Sequence, residues 1–520
     1  MFFVEVYERS GNVCYYYNRE SPRKKGEQNT HSSHGCDQVF GASTLSLDLW
    51  YHIRQGTNFN STHSAVSEPI ISVAGLRGII GEALNPDVAM RYAAAYSATA
   101  PPGLFVITRD SRPTGQMLAS AIHAGLNALG RDTLDAGIVA TPTLGILIRQ
   151  HNAAGGIQIS ASHNPIEFNG MKLFSAEGRC IPKDSGSRVL ELYKTTQPHW
   201  ATHQNIGKFS ICSDSTEAHL EAVLQTVDFR AIAGRKFKVL LDSNHGAGAV
   251  LGTKLLKRLN CDVTILGEEP NGQFLHPAEP TAENLTSVCE QVQSGNYDIV
   301  FCQDPDADRL ALIDGKGRYI GEEYTVALCM EHIFQTREHQ TREPATTSPR
   351  AMVINCATSR MSEDIAQKYG VPIFRSAVGE ANVVDMMLAK GATFGGEGNG
   401  GPIDPAVGYV RDSFVGMAQI LDAMTKTGKT LTELANALPK YALVKRKMTI
   451  ELTKVPAVLD KVALAFKHVP CDRMDGLRID HGDAWVLLRG SNTESIIRIF
   501  AEAPTAERAE QLCDEIERLV

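Results

Sequence analysis

Short apolar strands alternate with helical segments through most of this chain, and that alternation limits the fold more than any other feature. Three series of such strands begin near residues 104, 239 and 352. The second series, for example, runs from 239–242 through 263–266 to 298–301. Strands separated by helices form βαβ units, whose sheets are parallel or mixed. The sequence therefore predicts three similar α/β domains with mixed sheets.

The two ends of the chain differ from this middle part. Residues 1–66 show no sustained periodicity, which predicts a flexible N-terminal extension. After about residue 440 the strand patterns crowd together and a final amphipathic helix follows, which indicates a small α+β domain. A polar segment with two prolines at 336–350 predicts a surface insertion. The predicted boundaries are 1–66, 67–215, 216–325, 326–440 and 441–520.

Composition excludes some classes of function. The formal charge of -8 argues against a general nucleic-acid-binding protein, because such proteins need a basic face. We find no apolar run of membrane-spanning length, so no membrane association is expected. The 11 cysteines are scattered without a C-x-x-C pair, which favours reduced thiols and a cytoplasmic location.

A polar loop follows the apolar strand that ends at Ile159. In this loop Ser162 is followed by His163, Asn164 and Pro165, and the proline prevents a helix from continuing. The loop can present the Ser162 hydroxyl at the edge of a sheet. Its neighbour His163 is close enough to hydrogen-bond whatever that hydroxyl carries.

Three carboxylates at alternate positions follow the strand at 298–301. Asp304, Asp306 and Asp308 can converge on one hard divalent cation, for which oxygen ligands are suited. An EF-hand is excluded because Arg309 stands where that motif needs glycine. With only three protein ligands on offer, a fourth is expected from a phosphoryl group.

Two further loops carry groups suited to a phosphorylated sugar. The glycine-rich turn at 395–401 contains Glu397 and Asn399, which can hydrogen-bond hydroxyl groups. The turn at 489–498 combines arginine forks, suited to phosphate, with hydroxyl groups and an amide; its candidate residues are Arg489, Ser491, Asn492, Thr493 and Arg498.

Basic side chains elsewhere in the sequence could add positive charge around Ser162. Arg77 is one candidate, and Arg112 is equally compatible with a place on the surface. Lys172 lies ten residues after Ser162, so a hairpin would return it to the loop as a candidate acid or base.

The ordered set of four loops resembles the α-D-phosphohexomutase superfamily over roughly residues 69–520. That resemblance implies three α/β domains and a C-terminal α+β domain, similar to the TATA-binding-protein fold, around a central cleft. It implies Ser162 as a phosphoserine, with Lys172, Arg77 and His163 beside it as catalytic groups. It also implies Mg²⁺ bound by the three aspartates and the Ser162 phosphoryl group. The Glu397 loop would then contact the sugar and the turn at 489–498 its phosphate.

The reaction implied by the resemblance moves a phosphoryl group between O6 and O1 of a hexose phosphate, through a bound 1,6-bisphosphate. The G-E-G-N-G-G form of the sugar loop favours the phosphoglucosamine mutase-like branch, with phosphomannomutase or phosphoglucomutase as the alternative. A sugar-phosphate phosphatase and a catalytically silent sugar-phosphate-binding protein are rival interpretations. A monomer or a homodimer is expected.

Overall fold

The computed structural model describes residues 4–9, 12–17, 69–72, 75–340, 351–491 and 495–520. The chain divides into two compact units, residues 1–64 and 65–520. In the first unit β1 (Val4–Arg9) and β2 (Asn12–Tyr17) form an antiparallel hairpin, which the sequence analysis did not anticipate. The rest of the predicted extension at 1–66 lies almost entirely outside the described residues, and its flexibility stays a prediction.

The second unit begins with a seven-stranded mixed sheet, called here the first sheet. Its strand order is β3-β4-β8-β7-β5-β6-β9. Tyr92 and Phe105 are among the large side chains buried between this sheet and its helices. The elements are β3 (Ile70–Ser72), β4 (Gly75–Ile79), α1 (Pro86–Thr99), β5 (Phe105–Arg109), α2 (Gly115–Ala128), β6 (Thr133–Ile138), α3 (Thr141–Gln150), β7 (Gly155–Ile159), β8 (Phe168–Ser175), α4 (Lys183–Thr195) and β9 (Phe209–Ile211).

The second sheet has four strands in the order β11-β10-β12-β13. Its central strands are continuous apolar runs, as expected of strands covered on both faces. Its elements are α5 (Glu217–Leu224), α6 (Phe229–Arg235), β10 (Lys238–Asp242), α7 (Gly248–Arg258), β11 (Asp262–Leu266), α8 (Thr286–Ser294), β12 (Ile299–Gln303) and β13 (Leu310–Asp314).

The third sheet also has four strands, in the order β15-β14-β16-β17. Its last long helix begins where the Asp412 carboxylate accepts hydrogen bonds from two backbone N–H groups of the first turn. Its elements are α9 (Glu323–Gln340), β14 (Met352–Asn355), α10 (Met361–Lys368), β15 (Ile373–Ser376), α11 (Glu380–Lys390), β16 (Phe394–Glu397), β17 (Gly401–Ile403), α12 (Ser413–Thr427) and α13 (Leu431–Asn436).

These three sheets share one four-stranded plan. If the strands of each plan are numbered by their order in the chain, they lie side by side as 2-1-3-4. Strand 1 pairs in parallel with strands 2 and 3, and strand 4 runs antiparallel to strand 3. The first sheet carries this plan in β5, β6, β7 and β8. The prediction of three similar mixed-sheet domains is therefore confirmed.

The fourth sheet is antiparallel, in the order β18-β22-β21-β20-β19, with two helices packed on it. This arrangement confirms the predicted C-terminal α+β domain. Its elements are β18 (Ala442–Thr449), a 3₁₀ turn (Leu452–Lys454), α14 (Val455–Ala465), β19 (Cys471–Asp472), β20 (Leu477–Asp480), β21 (Trp485–Gly490), β22 (Ile496–Ala503) and α15 (Ala506–Glu517).

The largest core cluster joins the second and third sheets and also includes Ile146 of α3. Buried Phe301, Phe394 and Phe414 belong to this cluster, which therefore crosses the boundaries between sheets. Burying apolar surface between neighbouring sheets fixes their spacing. The loops at their facing edges are thereby held in place.

Some predicted ends of strands and helices were wrong. The strands expected near 104 and at 298–301 run on to Arg109 and Gln303, because buried polar side chains continue both strands. Helix α9 continues to Gln340, into the segment expected to be an insertion; residues 341–350 lie outside the described part. The first strand after residue 440 is β18, which ends at Thr449. Of the described helices, none has the length and apolar character needed to cross a membrane.

Candidate active site

Three of the four predicted loops occupy the same place in the shared plan. The Ser162 loop joins β7 to β8, the aspartate loop joins β12 to β13, and the Glu397 loop joins β16 to β17. Each loop is therefore the turn between strands 3 and 4. Ligands of open α/β sheets bind beyond the carboxyl ends of parallel strands, which is where strand 3 ends.

The Ser162 loop is shaped by its own hydrogen bonds. Every residue of β7 is buried, and Ser160, just after this strand, accepts a hydrogen bond from the Ser162 N–H at 2.8 Å. The Ser160 hydroxyl donates to Asp110 Oδ2 at 2.7 Å. Ser162 has φ of 52°, a left-handed conformation uncommon for residues other than glycine. Strained conformations of this kind persist where the surrounding structure holds them, often at functional sites.

A buried ion pair also holds the Ser162 loop in place. Arg112 and Asp110 are both fully buried and paired, and Arg112 Nη2 donates to the Ser162 carbonyl at 2.8 Å. The sequence had left a surface position open for Arg112. The structure buries this arginine and uses it to position the serine loop.

Ser162 meets the aspartate loop directly. Its hydroxyl donates to Asp304 Oδ2 at 3.0 Å, although the two residues are 142 positions apart. Asp304, Asp306 and Asp308 are all buried, and each offers one carboxylate oxygen to a group lying within 4.8 Å. Asp306 Oδ1 and Asp308 Oδ1 are buried and accept no hydrogen bond from the described residues. Converging carboxylates with unused oxygens are suited to a hard divalent cation.

The three carboxyl groups differ in acidity. Burial, together with the neighbouring Asp308 and Asp306 charges, raises the pKa of Asp304 well above its usual range. Burial opposes ionisation of the other two as well, but nearby cations outweigh it. Lys172 lowers the pKa of Asp306, and Arg411 with Lys172 lowers the pKa of Asp308. Asp306 and Asp308 therefore ionise more readily than usual, whereas Asp304 keeps its proton more readily than usual.

Lys172 returns to the site as the hairpin argument predicted, because it lies opposite Gln158 in the β7–β8 pair. Its Nζ lies 2.5 Å from Asp306 Oδ2 and 2.8 Å from Asp308 Oδ2. Burial favours the neutral amine, yet these two carboxylates raise the pKa of Lys172 above its usual value. A lysine held in this way stays a cation, which suits it to stabilising negative charge rather than accepting protons.

The other two predicted catalytic residues lie beside the loop. Arg77 Nη1 donates to Asn164 Oδ1 at 3.0 Å, and His163 Nδ1 lies 3.3 Å from Ser162 Oγ. Burial, with the positive charges of Arg309 and Arg77, lowers the pKa of His163 well below its usual value. The imidazole is therefore neutral at pH 7.

The two predicted sugar contacts of the turn at 395–401, Glu397 and Asn399, lie in different surroundings. Glu397 Oε1 accepts from Asn355 Nδ2 at 2.7 Å and from the Gly379 N–H at 2.9 Å, while its Oε2 lies 2.9 Å from Arg411 Nη1. Glu397 is thus buried and engaged within the protein. Asn399 lines the cavity described below, and its buried Oδ1 has no hydrogen-bond partner among the described residues.

The fourth sheet contributes a row of cations. Arg498 lies opposite Arg489 on one side and opposite Lys447 on the other, so three adjacent strands carry a positive charge at one level. All three residues line the same cavity, and Arg489 also pairs with Asp475 at 3.1 Å. Ser491 is buried at the end of this row. The predicted contacts Asn492 and Thr493 lie outside the described residues.

A cavity of about 520 Å³ is lined by His163 and Arg309, which neighbour Ser162 and Asp308 in the chain, and by the three cations of the fourth sheet. Its walls come from all four sheets and their loops, which confirms the expected arrangement around a central cleft. Residues that line it include His163, Glu279, Arg309, Glu322, Glu323, Asn355, Gly398, Asn399, Lys445, Lys447, Arg489 and Arg498.

Sequence reasoning missed several groups of the site. Arg411 is one, because its loop precedes α12 and carries only an ordinary N-cap signal at Asp412. Lys447 is another, since a lysine in a run of basic residues such as 445–447 usually faces solvent. Glu323 begins helix α9 and Glu322 precedes it, a place where acidic residues are common for purely local reasons. None of these positions carries a local signal that distinguishes it from the surface.

Comparison with known proteins identifies the family to which the chain belongs. Four domain models of one family match the chain in order: α/β/α domains I, II and III and the C-terminal domain of phosphoglucomutase/phosphomannomutase. They match residues 70–199, 217–317, 322–441 and 441–519. Each of the four loops falls within a different matched domain.

Individual relatives agree with this match. A protein of Thermococcus kodakarensis named phosphoglucomutase/phosphomannomutase is 36% identical over 446 residues, covering 84% of this chain and 95% of the relative. A Methanopyrus kandleri protein named "Probable phosphoglucosamine mutase" is 29% identical over 452 residues, covering 86% of this chain and 96% of the relative.

Solved structures share the fold. A phosphoglucomutase/phosphomannomutase family protein from Burkholderia thailandensis gives a TM-score of 0.74 at 23% identity, covering 86% of this chain and 96% of the other. An N-acetylphosphoglucosamine mutase from Aspergillus fumigatus gives a TM-score of 0.51 at 16% identity, covering 80% of this chain and 82% of the other. With four matched domains in order and a relative 36% identical over nearly its whole length, the chain belongs to the phosphoglucomutase/phosphomannomutase family of phosphohexomutases, which are intramolecular phosphotransferases.

Proposed function

We propose that this chain moves a phosphoryl group between O6 and O1 of a hexose phosphate, with phosphorylated Ser162 as the donor and acceptor. The observation that carries the proposal is the 3.0 Å contact between Ser162 Oγ and Asp304 Oδ2, beside a cavity lined by Arg489 and Arg498. A hexose 1,6-bisphosphate has two phosphates, one for the serine site and one for the cation row. Both ends of that ligand thus find a charged partner.

The transfer balances with groups of this site. A sugar hydroxyl oxygen attacks the phosphorus, the bond from phosphorus to Ser162 Oγ breaks, and the new ester bond forms. The hydroxyl proton ends on Ser162 Oγ, and neutral His163, at 3.3 Å from that oxygen, is placed to carry it. Lys172 and Arg309 stay charged and stabilise the transferring group. Positioning and charge are what phosphoryl transfer chiefly requires.

We infer that Asp304, Asp306 and Asp308 hold Mg²⁺, with the Ser162 phosphoryl group as a further ligand. The unused Oδ1 atoms of Asp306 and Asp308 support this assignment. A cation there would add positive charge next to the transferring phosphoryl group. The Aspergillus fumigatus relative was crystallised with GlcNAc-6P and magnesium.

For the sugar we propose glucosamine phosphate, with mannose or glucose phosphate as the second candidate. The name of the Methanopyrus kandleri relative favours the first. The name of the Thermococcus kodakarensis relative, at 36% identity, favours the second. Turnover on glucosamine-6-phosphate, mannose-1-phosphate and glucose-1-phosphate, each primed with its bisphosphate, separates these candidates.

The decisive variant is Ser162→Ala, with exposed Ser187→Ala as its matched control. We expect the first to abolish turnover of all three sugars and the second to leave it intact. Undiminished turnover by Ser162→Ala contradicts the proposal. Stoichiometric release of inorganic phosphate indicates a phosphatase instead, and intact-mass spectra that never contain a phosphoserine indicate a silent binding protein.

A further inference from the structure

Gly398 is a glycine because of what lies next to it. A Cβ atom built at this position would lie 2.1 Å from Glu323 Oε2 and 2.5 Å from Glu323 Cδ. The backbone of Gly398 is not in the left-handed region, so its conformation alone does not require glycine. The absence of a side chain at 398 therefore leaves room for the carboxyl group of Glu323, at the sugar loop.

Glu323 differs from the other carboxyl groups near the cavity. Glu279 pairs with Arg309 at 3.1 Å, Glu322 pairs with Lys445 at 2.9 Å, and Glu397 pairs with Arg411 at 2.9 Å. Glu323 Oε2 accepts one hydrogen bond, from the Ser359 N–H at 3.1 Å, and within the described part of the chain it forms no salt bridge. The nearby Lys445 ammonium pairs with Glu322 instead, so Glu323 can accept a salt bridge from a ligand cation.

The surroundings of Glu323 favour the binding of a cation next to its carboxyl group. Burial raises the pKa of Glu323 to about 8, because it outweighs the opposing charge of Lys445, and the negative charge of Glu322 adds to the rise. A carboxylate in this position is costly without a partner. A ligand ammonium would remove that cost and form a charge-assisted hydrogen bond, about twice as strong as a neutral one. A sugar hydroxyl can only form the neutral kind.

We propose that Glu323 sets the sugar specificity of the cavity: its carboxylate, which occupies the space that Gly398 leaves open, pairs with the ammonium group of an amino-sugar phosphate. The inference rests on the proposed mutase function and names the group by which that function selects its substrate. It concerns substrate choice and assigns no part of the phosphoryl transfer to Glu323.

The primary test is Glu323→Gln, which keeps the size of the side chain and removes its ability to ionise when an ammonium group binds. We expect kcat/KM for glucosamine-6-phosphate to fall about tenfold or more, mainly through KM, and kcat/KM for glucose-1-phosphate to change less than about threefold. Glu290→Gln, at an exposed position of α8, is the matched control and should change neither value. An equal loss on both sugars, or no loss on either, overturns the inference.

A second variant tests the role of the glycine. Gly398→Ala keeps the carboxyl group but displaces it, so the preference for the amino sugar should fall as in Glu323→Gln. In the double variant the second substitution should add no further loss of preference, because both act on one contact. Independent, additive losses would contradict the shared contact.

The outcome also separates this inference from the function on which it rests. Wild-type protein that turns over glucose and mannose phosphates but not glucosamine phosphate overturns the role of Glu323 and leaves the mutase function standing. Wild-type protein that turns over no hexose phosphate overturns the mutase function. Calorimetric binding of glucosamine-6-phosphate to wild type and Glu323→Gln then still decides the role of Glu323: equal affinities overturn it, and about tenfold weaker binding to the variant supports it.

Discussion

Arg411 Nη2 donates to Asp308 Oδ2 at 2.7 Å and so ties the loop that precedes α12 to the aspartate loop of the second sheet. The same guanidinium group pairs with Glu380 at 3.0 Å and with Glu397 at 2.9 Å. One buried cation therefore pairs with three carboxyl groups, from the aspartate loop, the glycine-rich turn and helix α11. The positions of the three elements depend on this one residue.

Replacing Arg411 by methionine should destabilise the protein strongly. The change removes the shared cation and leaves three buried carboxylates without it, so we expect a loss of about 3–5 kcal/mol in the free energy of unfolding. Urea unfolding of the metal-free protein measures it. Arg188→Met is the matched control, since that arginine pairs with Glu191 on an exposed helix face and should cost at most about 1 kcal/mol. Equal losses for both variants would contradict the assigned role.

Metal affinity should rise with pH because of Asp304. The pKa of this carboxyl is raised by burial and by Asp308 and Asp306, so metal binding must displace its proton. The raised pKa also means that the stability contributed by protonated Asp304 is lost as pH rises through its folded-state value. The increase in Tm that Mg²⁺ produces should therefore grow as pH rises.

Calorimetry in buffers of different ionisation enthalpy counts the released proton. The matched variant for this measurement is Asp304→Asn, which has no proton to lose at this position. It should bind Mg²⁺ more weakly and with less proton release. Proton release that is unchanged in Asp304→Asn would show that another group titrates.

Lys447→Met should weaken binding of the substrate phosphate. Lys447 extends the cation row formed by Arg489 and Arg498, and a hydrogen bond to a charged group contributes about 1.5–3 kcal/mol. We expect KM to rise about tenfold, with a smaller change in kcat. Lys461→Met, on the exposed face of α14, provides the control. A fall in kcat without a change in KM would argue against phosphate binding at this position.

Ser162 should be a position where glycine is more stable than alanine. Alanine normally stabilises a folded chain relative to glycine, but at φ of 52° its Cβ is disfavoured by about 1 kcal/mol or more. We therefore expect Ser162→Gly to unfold at higher urea concentration than Ser162→Ala, with both inactive. The reverse order would mean that the loop relaxes when the serine is removed.

Much of this site could be predicted from local patterns. Asp304, Asp306 and Asp308 stand at alternate positions after an apolar strand, and Ser162 follows another such strand, so their chemistry is visible in a few residues of sequence. Lys172 was placed correctly because a short hairpin leaves little choice of register. The three repeated strand series likewise indicated three similar sheets.

Other features required the whole fold. Arg411, Lys447 and Glu323 carry no local pattern that separates them from solvated charges, and each gains its role from partners on another sheet. The protein partners of Glu397, which include Arg411, likewise come from other segments of the chain and are not indicated by its local sequence.

The chain by itself determined which loops follow which strands and what chemistry each loop carries, because strand periodicity and turn residues act over a few neighbours. The tertiary structure decided that Ser162 meets Asp304 across 142 positions, and that one arginine serves three carboxylates. Those contacts depend on how buried apolar surfaces set one sheet against the next. Such long-range packing is a property of the complete core and cannot be read from any single segment.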